Sequence, residues 1–270
     1  MTKVLEKNGI QNRSSHTLER NEGIPYNEKY FDEISINRSA IDRRVNTLPG
    51  RRSVKKEYQA AWLLKAITMI DLTTLAGDDT RGNVFRLCEK AKNPVRHDIL
   101  EKLGMANTNL TTGAVCVYHN LISYAKEALG GSDIPIAAVS TGFPAGKNSI
   151  EEKIAEIKRS VAAGATEIDI VISRDLVLES KWKELYDEVK LCRQACGDAH
   201  MKTILATGEI PTYTKVAKAS WVAMMAGSDF IKTSTGKESV NATLAVSLEM
   251  IRCIRDYYQL TGVKVGYKPA

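Results

Sequence analysis

Short apolar runs alternate with longer amphipathic stretches along most of this chain. Segments such as 150–163 and 181–195 place apolar residues at helical spacing, and each lies between two short runs rich in Ile, Val and Ala. A regular alternation of strand and helix patterns is typical of repeated βα units and of a parallel sheet. The pattern predicts seven strands, near Asp71, Cys116, Val139, Asp169, Ile204, Lys232 and Tyr267.

Seven strands in one chain of 270 residues favour an α/β barrel of the TIM (β/α)8 type over an open doubly wound sheet. Barrels of this type take about 250 residues. No G-x-G-x-x-G turn follows the first predicted strand, which argues against a dinucleotide-binding fold. We expect the barrel to span residues 51–270, without its eighth strand and last helices. Residues 1–50 are polar, and we expect a partly disordered extension with one helix from Asn27, dispensable for chemistry.

The net charge of +6 is spread along the chain. Its densest cluster is Arg51, Arg52, Lys55 and Lys56, for which the solvated start of a helix is favoured over a nucleic-acid site. A mild basic excess also suits an anionic small substrate. The chain has neither a long apolar run nor an N-terminal stretch of secretory type. We therefore expect no membrane or nucleic-acid partner and a cytoplasmic location, with which nuclear presence is also compatible.

Cysteine and histidine positions predict neither disulfides nor a metal site. The cysteines are odd in number, without the paired spacing of zinc ligands, and the four histidines are scattered. Free thiols in a reducing compartment are the expected state, and no cofactor is expected. The cysteines are Cys88, Cys116, Cys192, Cys196 and Cys253.

The two-residue period of a β-strand places charged side chains on one face of several predicted strands. In TEIDIVI, Glu167 and Asp169 alternate with three isoleucines, so the isoleucines would meet the helices and the carboxylates would face the barrel interior. Several strands therefore direct carboxylates and amines at one central volume. In the other strands the residues concerned are Asp71 with Thr73, Lys202 with Ile204, Lys232 with Ser234, and Lys264 with Lys268.

These charges have two interpretations. They pair into stabilising networks or lie solvated at strand ends, since an isolated buried charge is costly. Alternatively they form a catalytic centre, which their convergence favours, because barrel enzymes place catalytic groups at the C-terminal ends of strands. A partly neutral lysine attacks a carbonyl to form a Schiff base. Two lysines on adjacent strands, Lys232 and Lys268, would disfavour the ammonium form, and Asp169 could move protons. Carbon–carbon cleavage through an imine is the favoured reaction class.

The same segments resemble a known family. IDLTTLAGDDT, GAVCVY, GFPAG, ATEIDIVI, DFIKTSTGK and VGYKPA are similar to signature segments of the deoxyribose-phosphate aldolases. The similarity runs from about Arg52 to Ala270 in the expected order, and EYQAAWLLKAITMIDLTTL is most similar to the eukaryotic branch. The resemblance implies a metal-free class I aldolase that acts on a phosphorylated sugar. Barrels of this kind often form homo-oligomers, and the sequence sets no oligomeric state.

The resemblance also implies residue roles. Lys232 would form the Schiff base with open-chain 2-deoxy-D-ribose 5-phosphate, and Lys268 would keep Lys232 partly deprotonated. Asp169 would relay protons while the carbon–carbon bond breaks, releasing glyceraldehyde 3-phosphate and then acetaldehyde. The other implied site residues are Asp71, Thr73, Cys116 and Lys202 in the substrate pocket and Gly236 and Lys237 at the phosphate.

Two positions in and after the second strand need separate treatment. For Cys116, a small buried hydrophobic side chain is favoured over a substrate contact. His119 and Asn120 follow Val-Tyr where the family tends to have Pro. For His119, a strand-end substitution of modest effect is favoured over an acid–base role.

Family members continue past Lys-Pro-Ala with a Gly-Gly turn, an eighth strand carrying phosphate-binding serines, and flanking helices. We therefore expect this sequence to lack the main phosphate site and to expose sheet edges. A fragment or alternative product of an aldolase locus is favoured over a shortened, inactive protein. Two further functions stay open: a non-catalytic interaction protein, and a Schiff-base aldolase for a different phosphorylated sugar.

Overall fold

The structure, a computed structural model, describes residues 19–270. Contacts divide this part of the chain into two units. The first unit contains Arg52–Ala138 and Ala163–Thr166, and the second contains Glu19–Arg51, Val139–Ala162 and Glu167–Ala270.

All seven predicted strands are present in the described residues, and the two helices expected over 150–163 and 181–195 are also found. The strands are β1 (Asp71–Thr73), β2 (Ala114–Tyr118), β3 (Ile136–Ser140), β4 (Glu167–Val171), β5 (His200–Ile204), β6 (Phe230–Lys232) and β7 (Gly266–Lys268). The α-helices are α1 (Arg38–Asn46), α2 (Leu48–Arg51), α3 (Lys56–Ile67), α4 (Arg81–Lys92), α5 (His97–Lys102), α6 (Ile122–Ala128), α7 (Ile150–Ala163), α8 (Arg174–Leu178), α9 (Trp182–Cys196), α10 (Tyr213–Met225) and α11 (Leu244–Thr261).

The strands form a parallel sheet whose strand order, β1 to β7, follows the chain. Every residue of β3 and all but the last residue of β2 are buried. Parallel strands covered on both faces need apolar residues at every position, which explains the continuous runs AVCV and IAAV. In such a sheet the C-terminal ends of all strands lie at the same edge, where barrel enzymes carry their chemistry.

In the first unit, helices α3 and α5 pack together through a small apolar cluster. Thr80 begins α4, because its side chain accepts a hydrogen bond from the backbone N–H of Asn83 and so satisfies an otherwise unpaired donor. The cluster residues, from α3, α5 and the chain after α5, are Ala61, Leu64, Leu100, Met105 and Leu110.

In the second unit, α10 and α11 pack against each other. Nine of the thirteen residues of α10 are buried, and its alanines allow this close packing. Thr212 and Thr243 cap the N-termini of the two helices through their side chains. Gly262 ends α11 in the left-handed conformation, which glycine adopts without steric cost.

The described part of the predicted N-terminal extension belongs to the second unit, where Asn21 binds it to the ends of α10 and α11 and to Ser228 and Asp229. The Asn21 side chain donates hydrogen bonds to the carbonyls of Met224 (2.8 Å) and Ser228 (2.9 Å). It accepts one from the hydroxyl of Tyr257 (3.1 Å), and the Asn21 backbone N–H donates to Asp229 (2.8 Å). A 3₁₀ turn at Glu28–Tyr30 and helices α1 and α2 follow. The partial disorder expected within residues 1–50 and the boundary at residue 50 both stay predictions, and residues 1–18 lie outside the described residues.

The structure agrees with two expectations from the sequence, one about surface charge and one about the cysteines. Arg51, Arg52, Lys55 and Lys56 are all exposed, as expected for a solvated helix start. All five cysteines are buried free thiols. In residues 19–270, no helix is both long and apolar enough to cross a membrane.

Replacing Asn21 with Ala should lower the free energy of unfolding by about 2 kcal/mol, because two buried carbonyls and a tyrosine hydroxyl lose their partner. Urea unfolding followed by circular dichroism measures the change. The matched control is Asn107→Ala at an exposed position, which should leave the midpoint unchanged. Equal stability of the two variants would contradict a structural role for Asn21.

Candidate active site

The second unit contains a cluster of buried charges at Asp169 on β4. Asp169 is fully buried. The Nζ of Lys232, on β6, lies 2.7 Å from its Oδ2, and the Nζ of Lys202, on β5, lies 3.3 Å from its Oδ1. Both lysine side chains are themselves less than a tenth exposed. The network predicted as one interpretation of the converging charges is therefore present around Asp169.

The register of the strands explains how these three side chains meet. Asp169 pairs with Lys202 across β4 and β5, and Lys232 pairs with Ile204, two residues farther along β5. Residues two apart on a strand share a face, so all three side chains point to the same side of the sheet. The alternation seen in the sequence placed these residues correctly.

Two opposing effects act on the Asp169 carboxyl. Burial raises its pKa, because a charged group is poorly solvated inside the protein. The positive charges of Lys202 and Lys232, and their hydrogen bonds, outweigh burial and hold the pKa of Asp169 at about 2. Asp169 is therefore ionised at neutral pH, and it can accept a proton but has none to donate.

Lys202 is shared between two carboxylates. Besides Asp169, its Nζ contacts the carboxylate of Glu167, which lies two residues earlier on the same face of β4. The ring of Phe230 lies near the amine, with the Lys202 Nζ 6.0 Å from the ring centroid. Carboxylates and an aromatic face all favour an ammonium. Lys202 thus lies between two carboxylates and close to one aromatic ring.

Lys268 lies on β7 directly beside Lys232, since the register pairs these two residues. Two residues earlier on each strand, the register pairs Phe230 with Gly266. The Phe230 ring fills the space that a Cβ on Gly266 would need. Glycine at position 266 thus lets the ring lie close against β7, two residues before the paired lysines.

Strained backbone marks the ends of β3 and β5. Thr141 and Ala206 follow these strands with φ of 64° and 55°, a region that costs a side-chain-bearing residue about 1–3 kcal/mol. Thr141 compensates by bonding across to β4: its Oγ1 accepts from the N–H of Val171 (2.7 Å) and lies 2.9 Å from the Val171 carbonyl. Such strain concentrates at functional sites, and both residues lie just after the C-terminal ends of their strands.

The predicted phosphate residues form a turn just after β6. Gly236 adopts φ of 84°, which suits glycine, and both Gly236 and Lys237 are exposed. The turn is held by Glu238, whose carboxylate accepts from the N–H (2.9 Å) and hydroxyl (2.7 Å) of Thr235. The Lys237 N–H in turn donates to the Thr235 hydroxyl at 3.0 Å.

The pocket residues predicted in the first unit lie on β1 and β2. Thr73 pairs with Cys116, and the Thr73 hydroxyl donates to the Asp71 carbonyl at 2.8 Å. Cys116 is 1% exposed, as a small buried hydrophobic residue would be. His119 is exposed and begins a 3₁₀ turn directly after β2, at the strand end as expected. The pocket roles of Asp71, Thr73 and Cys116 stay predictions.

Two parts of this arrangement were not assigned from the sequence. Glu167 was placed on the face of Asp169 without a role, although its two-residue spacing was the signal that could have identified it. Glu238 lies on a loop and Arg174 is the first residue of the short helix α8. Neither belongs to a strand, whose two-residue period predicts side-chain direction. Among residues 19–270, no three His, Cys, Asp or Glu side chains are grouped so as to hold a metal ion.

The ion pairs of Asp169 should make the free energy of unfolding depend on pH in the acidic range. Its pKa is about 2 in the folded protein against an ordinary 3.8, so its contribution is complete above pH 4 and is lost as the pH falls towards 2. Wild type should therefore exceed Asp169→Asn in unfolding free energy by a margin that shrinks by about 2 kcal/mol between pH 5 and pH 2. Denaturant titrations at several pH values measure this margin. The exposed Asp133→Asn is the control, and a pH-independent margin for Asp169→Asn would contradict the assignment.

Comparison with known proteins identifies relatives along nearly the whole chain. The family model of the DeoC/LacD family aldolases matches residues 65–264. The human deoxyribose-phosphate aldolase is 55% identical over 252 residues, which cover 93% of this chain and 79% of the human protein. The mouse deoxyribose-phosphate aldolase is 56% identical over 250 residues, covering 92% of this chain and 79% of that protein.

Solved structures show the same fold at low sequence identity. A structure from Coccidioides immitis matches with a TM-score of 0.63 and 21% identity, over 87% of this chain and 94% of that one. The deoxyribose phosphate aldolase from Aeropyrum pernix matches with a TM-score of 0.55 and 20% identity, over the same shares. The fold is the TIM-barrel type expected from the sequence, with seven of its strands in residues 19–270. From the family match and the identity to its relatives, the chain belongs to the DeoC/LacD family of aldolases.

Proposed function

We propose that this chain catalyses the reversible cleavage of 2-deoxy-D-ribose 5-phosphate to glyceraldehyde 3-phosphate and acetaldehyde. The family and the deoxyribose-phosphate aldolases that are more than half identical to it support this reaction. The observation that carries the chemistry is the buried Lys232 amine, 2.7 Å from the Asp169 carboxylate. A lysine beside a proton acceptor, in a buried site, suits imine formation with an aldehyde.

The first step joins Lys232 to the substrate. The neutral amine attacks the C1 aldehyde of the open-chain sugar, and the resulting carbinolamine takes up a proton and loses water to give a protonated imine. Because an ammonium has no lone pair, Lys232 must first lose a proton. Lys268, paired with Lys232 across β6 and β7, places a second positive charge nearby and so disfavours the ammonium form of Lys232.

The second step breaks the bond between C2 and C3. Asp169 removes the proton of the C3 hydroxyl, directly or through water, and the C2–C3 electron pair moves into the imine to form an enamine. Glyceraldehyde 3-phosphate leaves. Protonation of the enamine at C2 restores the imine, which water hydrolyses to acetaldehyde and free Lys232. General-base assistance of this kind contributes about 10²–10⁴-fold to a rate.

Lys202 and Glu167 support Asp169 in this scheme. Lys202 holds the Oδ1 of Asp169 at 3.3 Å, which leaves Oδ2 directed at Lys232 and the reacting atoms. Glu167 shares the Lys202 ammonium and fixes its position. The protonated imine formed on Lys232 keeps a positive charge beside Asp169 during the second step, so the carboxylate stays ionised and ready to accept the C3 hydroxyl proton.

The remaining site residues are assigned to substrate binding. Asp71 and Thr73 would orient the sugar and water, and Cys116 would line the pocket. The exposed turn at Gly236 and Lys237 would contact the phosphate, because backbone N–H groups at a glycine turn and an ammonium both attract anions. The substrate is a small phosphorylated sugar, and the scheme uses no cofactor.

Two properties beyond the reaction form part of the proposal. The Aeropyrum pernix aldolase forms a tetramer, which supports a homo-oligomer here. Five free cysteines suit a reducing compartment, which supports action in the cytoplasm.

Borohydride reduction in the presence of deoxyribose 5-phosphate should leave a reduced adduct on Lys232, located by peptide mass spectrometry. Lys232→Ala should give no adduct and no turnover, since no other group replaces the imine nitrogen. Lys264→Ala, at an exposed lysine near β7, is the matched control and should retain both. Turnover by Lys232→Ala, or an adduct confined to another lysine, would refute the assignment.

Replacing Lys268 with Met should move the rising limb of the pH–rate profile to higher pH. Without the charge of Lys268, the ammonium form of Lys232 is more stable, so a higher pH is needed to form the neutral amine. The rate near neutral pH should fall and recover in part at higher pH. Initial rates of both forms between about pH 6 and pH 10 measure the shift. An unchanged profile would show that Lys268 does not act on Lys232.

A further inference from the structure

One guanidinium in the second unit joins four consecutive connections at the catalytic edge of the sheet. Arg174, the first residue of α8 in the connection after β4, donates from Nη2 to the carbonyl of Ala145 in the loop after β3 (2.8 Å). Its Nη1 lies 3.0 Å from Glu209 in the loop after β5 and 3.9 Å from Glu238 in the loop after β6. The Arg174 side chain is only 17% exposed. The residues that Arg174 contacts all lie in segments that follow a strand, at the end of the sheet where barrel enzymes bind their substrates.

Glu238 carries this connection to the turn that follows Lys232. Its side chain is 2% exposed, and its carboxylate accepts from the N–H and hydroxyl of Thr235. The Thr235 hydroxyl then accepts from the N–H of Lys237. These bonds fix the direction of the backbone on both sides of Gly236, whose left-handed φ of 84° would otherwise be one of several accessible conformations.

We propose that Arg174 and Glu238 act together as a positioning pair that shapes the Thr235–Lys237 turn for the phosphate of the substrate. The inference rests on the proposed aldolase function and on the role of the turn in it. Neither side chain is assigned a contact with the reacting atoms. The two side chains contribute instead to the preference of the enzyme for a phosphorylated over an unphosphorylated sugar.

The charges explain why both members of the pair are needed. A carboxylate next to a phosphate site repels the substrate unless a cation balances it. Arg174 supplies that cation, and its planar, multi-donor guanidinium can reach Ala145, Glu209 and Glu238 at once, which a lysine cannot. Loss of Arg174 alone would leave a buried negative charge beside the turn, whereas loss of both charges would remove the repulsion.

The test compares 2-deoxyribose 5-phosphate with unphosphorylated 2-deoxyribose. For Arg174→Gln, KM for the phosphorylated sugar should rise about tenfold, the scale of one lost charge-assisted interaction. The kcat should change less than twofold, and kcat/KM for 2-deoxyribose should be unaffected. Arg255→Gln is the control, because Arg255 is an exposed arginine whose ion pair within residues 19–270 is a local one, with the adjacent Asp256.

A second variant separates positioning from general loss of structure. Glu238→Gln keeps an oxygen that can accept from Thr235, and the double variant Arg174→Gln/Glu238→Gln should recover a large part of the lost affinity for the phosphorylated sugar. An equal loss for both sugars, no loss in Arg174→Gln, or no recovery in the double variant would each overturn the proposal. A merely structural role predicts that two substitutions are worse than one.

Amide hydrogen exchange distinguishes failure of this inference from failure of the proposed function. If wild type cleaves neither sugar and forms no borohydride adduct, the aldolase assignment fails, and kinetics no longer report on the turn. Amide hydrogen exchange in peptides that cover residues 233–243 still reports on the turn. Faster exchange there in Arg174→Gln than in Arg255→Gln would support the pair as the element that holds the turn, and identical exchange would overturn it.

Discussion

A carboxylate removed from solvent must be surrounded by compensating charge, and the second unit is arranged around that requirement at Asp169. The side chain is fully buried, and it is tolerated because two ammonium groups approach it from β5 and β6. Each lysine is in turn buried and depends on the carboxylate. Removing one member of such a group leaves an uncompensated buried charge, which is far more costly than the group is stabilising. The arrangement therefore holds three side chains in a single relative position.

That constraint also suits the chemistry proposed for the site. Reaction rates fall steeply when the reacting groups are misplaced by as little as an ångström. Here the position of Lys232 follows from strand register and from its ion pair, both of which belong to the rigid part of the fold. Glu167 adds a further constraint. It binds the Lys202 amine, which in turn holds the Asp169 carboxylate in position. The loops then have only to recognise the rest of the sugar.

Much of the fold and of the charged cluster could be predicted from the sequence, because the geometry of a strand makes apolar and polar residues alternate along the chain. The seven strands were predicted correctly, and the two-residue period alone placed Asp169, Lys202 and Lys232 on one face. Loops carry no such period, so the contacts of Arg174 with three neighbouring loops were not predictable. Contacts between distant parts of the chain have no local signal either. Asn21 is one more polar residue in a polar segment of the sequence, yet it is buried against α10 and α11.

Gly266 illustrates how a position without a side chain can restrict its neighbours. The Phe230 ring occupies the volume beside this glycine and lies near the Lys202 amine. The sizes of residues 230 and 266 are therefore linked, since a side chain at 266 leaves no room for a phenyl ring at 230. During evolution the two positions are expected to change together, with any enlargement on β7 accompanied by a smaller residue on β6. Redesign of the barrel interior for bulkier aldehydes would have to treat the two positions as one.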